Sequence, residues 1–336
     1  MFDLVGFGEA TLRLRAERGR QLGDTDSFAA GVGGPERNAL VAASGLGADA
    51  VWLSRLPDSP LGDRVVADLR RHGVRTGVSW ADADARLATA FVEAGPEPRG
   101  RTIVRDADDA AFEGIHAENL PLNAVGNAER FHVAGATVAR SEQTAAATES
   151  LLAAAVEGDT TTAFDLRYRE RDWPPAAARE TCESLFPAVD VLFVSSTAAE
   201  SVLGEEGDPI EIAHALRTKH DLETVVLLRT DGGALAVHGD EVHETDAVRG
   251  ESIDGAGARD AFVGAFHAKR TADAAATGAD AHRNDGAGEP PAGDGSPPGV
   301  GDALAWGAAA AALARTLTGE SVTVSRAAVE RIVAEQ

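Results

Sequence analysis

Short apolar runs recur along this chain with helix-patterned segments between them, and that alternation limits the architectures open to it. Leu4 to Phe7, Val51 to Leu53, Phe131 to Ala134, Thr161 to Leu166, Val189 to Val194 and Thr224 to Leu228 read as strands buried on both faces. Asn38 to Gly45, Gly62 to His72, Ser141 to Val156, Asp208 to His220 and Asp260 to Arg270 carry helical spacing, and Asp302 to Leu317 and Ser325 to Glu335 follow. A doubly buried strand needs cover above and below. The expected fold is therefore a single α/β domain over residues 1–336, with a central, mostly parallel sheet flanked by helices. Ligands of such sheets sit at the carboxyl ends of the strands.

Two stretches break the rhythm. Ala10 to Ala30 and Arg86 to Phe112 alternate, as in Thr11-Leu-Arg-Leu-Arg and Ala88-Thr-Ala-Phe-Val-Glu. They predict antiparallel strands outside the main sheet, either a small β lid that shuts water out of a reaction centre or plain edge hairpins. Residues 277–301 are rich in Gly, Pro, Ala and Asp, which bury too little surface to offset ordering entropy, and a flexible surface loop is expected there.

Charge narrows the partners. The chain carries 31 Lys plus Arg against 54 Asp plus Glu, a formal net charge of −23. Such a surface repels nucleic acid and anionic membranes. Lys219 and Lys269 are its only lysines. Acid excess with scarce lysine points to a protein kept dispersed in high salt, from a salt-loving source. Cys182 alone cannot build a disulfide framework and suits a reducing compartment. No run approaches the roughly 18 apolar residues of a membrane span, and Met1-Phe-Asp-Leu-Val-Gly opens without a signal-peptide pattern. A cytoplasmic location is expected. Cys182 reads as structural, and Trp52, Trp80 and Trp306 as core residues.

The strongest chemical signal is Ser252-Ile-Asp-Gly-Ala-Gly-Ala-Arg-Asp-Ala-Phe, a glycine-rich turn running into a helix near Asp260. First-turn amides lack intrahelical partners and carry the positive end of the helix dipole, so they attract phosphate. A carboxylate beside them can accept a proton from an attacking hydroxyl. An anion site next to a base is what phosphoryl transfer requires, although a helix start with a favourable Asp gives the same pattern.

This segment resembles the C-terminal signature of the ribokinase (PfkB) family of sugar kinases, Asp-Thr-Thr-Gly-Ala-Gly-Asp-Ala-Phe. Gly31-Val-Gly-Gly-Pro-Glu-Arg-Asn is similar to that family's Gly-Gly-x-x-x-Asn sugar motif. Leu53-Ser-Arg-Leu-Pro-Asp-Ser-Pro-Leu-Gly, Leu69-Arg-Arg-His-Gly-Val, His132-Val-Ala-Gly, Phe164-Asp-Leu-Arg-Tyr-Arg and Gly233-Ala-Leu follow in collinear order. Within the family, Gly8-Glu9, Gly33-Gly-Pro-Glu-Arg-Asn38, Arg105 and Arg169 most resemble 2-keto-3-deoxygluconate (KDG) kinases.

The resemblance implies a ribokinase-like fold and transfer of phosphate from ATP, with Mg²⁺, to a sugar or sugar acid, KDG first. It implies Asp260 as the base and the amides of Gly257, Ala258 and Arg259 as the anion hole. Gly33, Gly34 and Asn38 would hold sugar hydroxyls. Arg105 and Arg169 would hold the acid end, since a guanidinium fork pairs with a carboxylate. Leu228, Thr230 and Gly233 would border the nucleotide, between the strand near Leu228 and the helix from Asp302. A homodimer through the lid is a further expectation.

The chain departs from the family pattern at several points. Arg259 replaces a glycine, Thr230 another, Arg167 an asparagine and Ile103 a tyrosine. Ser195-Ser-Thr-Ala198 stands where an Asn-x-x-Glu organises the metal, which leaves the metal ligands unknown; Glu200 lies two residues on. If Arg259 needed positive φ, it would be strained by about 1–2 kcal/mol. Asp260 can serve only if its carboxyl is open to a hydroxyl and no arginine plugs the cradle. The alternatives are a neutral-sugar kinase of fructokinase or ribokinase type, and a weakened kinase-fold protein that binds sugar or nucleotide. A dinucleotide fingerprint at Gly6-Phe-Gly8 is set aside, because the segment after it alternates like a strand instead of opening a helix.

Overall fold

The apolar runs do assemble into one sheet. The structure, a computed structural model, describes residues 1–95, 98–281, 299–319 and 322–336. Its strands are β1 (Phe2–Phe7), β2 (Thr11–Ala16), β3 (Phe28–Gly33), β4 (Ala50–Pro57), β5 (Arg75–Ala81), β6 (Thr89–Ala94) and β7 (Arg101–Asp106). β8 (Ala128–Ala134), β9 (Thr161–Asp165), β10 (Val191–Ser195), β11 (Thr224–Leu228), β12 (Ala234–His238) and β13 (Glu241–Thr245) complete them. The main sheet has nine strands in the order β13-β12-β11-β10-β9-β8-β1-β4-β5. It is parallel from β11 to β5, and only β12 runs against the other strands, pairing antiparallel with both β11 and β13.

Alternation along the strands feeds two layers of core. Val5, Phe7, Val51 and Leu53 face helices Glu142–Glu157, Pro175–Leu185 and Pro209–His220, packing with Leu151, Cys182 and Leu216. Leu4, Ala50 and Trp52 face the other way, onto Leu40 of helix Pro35–Gly45, Val65 of helix Pro60–Arg71 and Ala309 of helix Val300–Arg315. Cys182 is fully buried there, and burial pushes its thiol up to about 12, in keeping with a structural role. Trp52 and Trp306 are core residues as expected. Trp80 is not: it lies on the edge strand β5 and is 45% exposed.

The alternating segments form a separate four-stranded sheet, β3-β2-β6-β7. Its outer pairs are antiparallel, as expected, but the central pair β2–β6 is parallel. A strand, β2, follows Gly6-Phe-Gly8, so that segment lacks the helix a dinucleotide fingerprint needs. The helix opened by the glycine-rich turn runs from Ala258 to Ala281. Of the loop expected over 277–301, residues 277–281 belong instead to this helix and 300–301 to helix Val300–Arg315, while residues 282–298 lie outside the described residues.

Two packing features position the functional end. Helices Pro35–Gly45 and Ala258–Ala281 touch backbone to backbone: a Cβ on Gly264 would lie 2.1 Å from the Ala39 carbonyl oxygen. Beneath them, His132 of β8 and His267 are fully buried, with ring centroids 5.2 Å apart, against Phe193 and Phe266. Burial keeps both imidazoles neutral, holding His132 down to about 4 and His267 well below its ordinary value.

Gly264→Ala should destabilise the fold by about 1–3 kcal/mol by forcing the two helices apart; an unchanged urea midpoint would contradict that packing. The unfolded chain protonates each histidine near 6.5, whereas the folded state refuses the proton until much lower pH, so their contribution is lost as pH falls below 6.5. Burial raises Glu9 and Glu36 to about 7, and these act in the opposite sense, so the histidine effect shows only as a difference. His267→Phe should gain on the wild type by up to about 1.4 kcal/mol per pH unit below 6.5. A pH-independent difference between their unfolding curves would refute this.

Candidate functional site

The carboxyl ends of β9, β8 and β1 lie side by side, and the glycine-rich turn faces them. Gly257 takes φ +76, which a glycine adopts without penalty, and helix Ala258–Ala281 begins on the next residue. Asp254 shapes the turn, its Oδ1 accepting from the Ala256 N–H at 3.0 Å. The Ala258 amide donates weakly to Gly255 O at 3.4 Å, and Ala261 to Gly257 O at 2.8 Å. Asp260 falls in the first turn, beside the amides at 259 and 260. Arg259 lies within the helix and not at positive φ, so the strain expected of it is absent. Its guanidinium turns onto Asp165, the last residue of β9, with Nε 3.1 and 3.2 Å from the two carboxylate oxygens. Burial pushes the Asp165 carboxyl up, but Arg259 and then Arg167 pull it below its ordinary range.

Asp260 is only 3% exposed, and both its oxygens are engaged. Asn38 Nδ2 donates to Oδ2 at 2.8 Å, and Arg167 Nη1 forms an ion pair with Oδ1. The requirement that this carboxyl be open is therefore not met in this state. The orientation of the Asn38 amide is itself determined: Arg37 Nη1 donates to Asn38 Oδ1 at 3.0 Å, which aims Nδ2 at the base. Arg37 is 1% exposed and paired with Asp68. Sequence reasoning passed over Arg37. Its signal was a cation on the buried face of a helix otherwise lined by Ala39, Leu40 and Val41.

A cavity of about 160 Å³ opens over Asp260. It brings together Gly34, Asn38, Arg105, Arg169, Gly257 and Asp260 from the expected residues; Gly33, Ala258 and Arg259 are not on its wall. Ligand pockets for drug-sized molecules run to about 300–1,000 Å³, so this one suits a small polar molecule. Arg13 of β2 and Arg101, Ile103 and Arg105 of β7 line it, which makes the small sheet a cover over the site. Residues 101, 103 and 105 share one face of β7 by the two-residue strand period. Asp254 ties this cover to the turn, its Oδ2 accepting from Arg15 Nη1 at 2.6 Å and from the Gly319 N–H at 3.2 Å.

The wall is cationic although the chain is acidic. Burial and then the neighbouring Arg169 hold the Arg105 guanidinium down to about 9. Burial and then Arg167 bring Arg169 to about 10. Arg171 lines the same cavity. Crowded guanidiniums repel one another, and an anion between them relieves that repulsion.

A larger cavity of about 770 Å³ lies between residues 244–251, helix Val300–Arg315 and the C-terminal residues 332–336. Leu228, Thr230 and Gly233 do not line it. Leu228 ends β11, and Thr230 and Gly233 lie in the β11–β12 turn, where the Arg229 amide donates to Gly233 O at 2.9 Å. Ser195 Oγ caps the segment that follows β10, accepting from the Ala198 N–H at 3.2 Å. Ala198 is buried, and Glu200 is exposed on the π-helical turn Ala199–Leu203. No group of three or more His, Cys, Asp or Glu side chains among the described residues could hold a metal. No helix among them is long and apolar enough to cross a membrane.

The chain is 41% identical to 2-dehydro-3-deoxygalactonokinase of Haloferax volcanii over 331 residues, covering 98% of this chain and 96% of the relative. It is 26% identical to probable fructokinase-2 of Arabidopsis thaliana, over 78% of this chain and 80% of that one. The crystal structure of 2-dehydro-3-deoxygluconokinase from Thermotoga maritima superposes with a TM-score of 0.84 at 26% identity, covering 98% of this chain and 99% of the other. A family profile described as pfkB family carbohydrate kinase matches residues 1–325, and the chain belongs to that family.

Proposed function

We propose that this protein transfers the terminal phosphoryl group of ATP to a hydroxyl of a 2-dehydro-3-deoxyhexonic acid, the class that includes KDG and its galactonate epimer. The observation that carries this reading is Asp260 at the start of a helix, at the foot of a small cavity walled by Arg105 and Arg169. The 41% identical relative acts, by its name, on the galactonate epimer, and the Thermotoga enzyme on the gluconate one.

The geometry supports the following roles. Arg105 and Arg169 receive the carboxylate, which places the far end of the sugar toward Asp260. Asp260 accepts the proton of the attacking hydroxyl as the new O–P bond forms and the bond to the departing ADP oxygen breaks. The turn at Gly257 and the amides opening the helix draw in the negative oxygens of the transferred group. Gly34 and Asn38 face the sugar, and Gly33 ends the strand β3 that leads to them. The 770 Å³ cavity has room for a nucleotide, with Leu228, Thr230 and Gly233 where β11 turns into β12. Bound with ATP, Mg²⁺ supplies charge neutralisation at the phosphates. It usually keeps several waters and rides on substrate phosphates, which suits a chain without a carboxylate cage among its described residues.

The same reading places the protein in the cytoplasm of a salt-adapted cell, with no nucleic acid or membrane as partner, in line with its charge of −23. Phe28 and Val104, exposed on the outer strands of the small sheet, support pairing of two copies through it. A second reading, a weakened kinase-fold binding protein, draws on the Arg167–Asp260 ion pair and on Ala198 in the metal-organising segment.

A coupled ATP-consumption assay in concentrated KCl with Mg²⁺ tests these readings. One of the two acids should be turned over with kcat/KM at least about tenfold above fructose and ribose. Preference for fructose or ribose would establish a neutral-sugar kinase, and no turnover of any sugar would establish the binding protein. Asp260→Asn should lower kcat by about 10²–10⁴ and leave sugar affinity nearly unchanged; full activity in that variant would remove Asp260 from the mechanism.

A further inference from the structure

Two side chains cover the base. Asn38 holds Oδ2 of Asp260, so an incoming hydroxyl meets Oδ1, the atom that Arg167 pairs with. Arg167 is not built into the core. It lies two residues past the end of β9, on the irregular stretch before helix Pro175–Leu185, with a side chain 20% exposed on the cavity wall. The same Nη1 stands 3.9 Å from Asp165 Oδ2, but Asp165 already grips Arg259 through both oxygens. The carboxylate that the reaction needs thus holds Arg167 on the cavity wall.

Cations stand nearby. Arg169 and Arg105 line the same cavity, so their field drives Arg167 toward Asp260. A carboxylate seated on Arg105 and Arg169 reverses that field and offers Arg167 a second anion. Separating a nearly buried ion pair is costly when nothing replaces the lost partner, and a neutral sugar brings only hydroxyls.

We propose that Arg167 is a lock on Asp260 that an acidic ligand opens, so that the carboxylate of the sugar both anchors the substrate and exposes the base. This rests on the function proposed above and deepens it: selection for acids would lie in releasing the base as well as in affinity. The lock would also keep Asp260 from activating water against bound ATP when no sugar acid is present. Arg167 is in this sense a positioning residue, acting through Asp260.

Two measurements test it. In the first, kcat/KM for the preferred 2-dehydro-3-deoxy acid and for fructose is compared in the wild type, Arg167→Asn and Arg167→Lys. The acid-to-fructose ratio should fall by about tenfold or more in Arg167→Asn and hold in Arg167→Lys, which keeps the charge. Sugar-independent ATP hydrolysis should rise severalfold in Arg167→Asn alone. The second uses the unaltered protein. Pyruvate carries the same carboxylate and ketone without a transferable hydroxyl, and at saturation it should stimulate ATP hydrolysis severalfold. An unchanged ratio in Arg167→Asn, or no stimulation by pyruvate, overturns the lock even where the wild type is an active acid kinase. A wild type that phosphorylates neither acid overturns the proposed function, and the lock with it.

Discussion

Asp260 is held by a chain of charge and hydrogen bonding that crosses four separate elements. Asp68 of helix Pro60–Arg71 pairs with Arg37, Arg37 orients Asn38, and Asn38 donates to Asp260. From the other side Asp165, at the end of β9, grips Arg259 and stands near Arg167, which closes on Asp260. Each link is mostly buried, so each group depends on its neighbour to offset lost hydration. Remove one and the next is left as an uncompensated charge or a misdirected amide. The close packing at Gly264 has its functional meaning here, because the Asn38–Asp260 bond spans the two helices that meet there.

The electrostatics of the molecule are divided. A chain with net charge −23 gathers arginines from β2, β7 and the stretch after β9 around one small cavity. The acidic exterior does not cancel them. In concentrated salt the Debye length is a few ångströms, so distant surface charges are screened while groups inside a covered cavity still feel one another. The arrangement keeps a local preference for anions on a protein whose exterior repels them. The small sheet adds to this by placing cations from its strands over the cavity and by binding the turn through Arg15 and Asp254.

The fold was legible because its signals are local. Doubly buried strands such as Thr224 to Leu228 announce themselves as apolar runs, and the helices between them carry their own periodicity. What escaped are β12 and the two edge strands. β13 reads Glu-Val-His-Glu-Thr with one half-solvated face, and β5 exposes Trp80, so neither shows the pattern of a buried strand. The parallel β2–β6 pairing escaped too, because alternation specifies which face a residue takes and not which strand lies beside it.

The chain by itself determined a mostly parallel α/β sheet, a family resemblance running along nearly its whole length, and a carboxylate placed where a glycine-rich turn becomes a helix. Those properties sit in contiguous residues, where spacing and chemistry can be read directly. Only the tertiary structure decided that Arg259 leaves the turn for Asp165, that Arg37 aims Asn38, and that Arg167 covers Asp260. The partners in these contacts lie 94 residues apart for Arg259 and Asp165 and 222 apart for Asn38 and Asp260. A long charged side chain can reach any of several acids, and the choice depends on how the helices pack and how much water each pair loses.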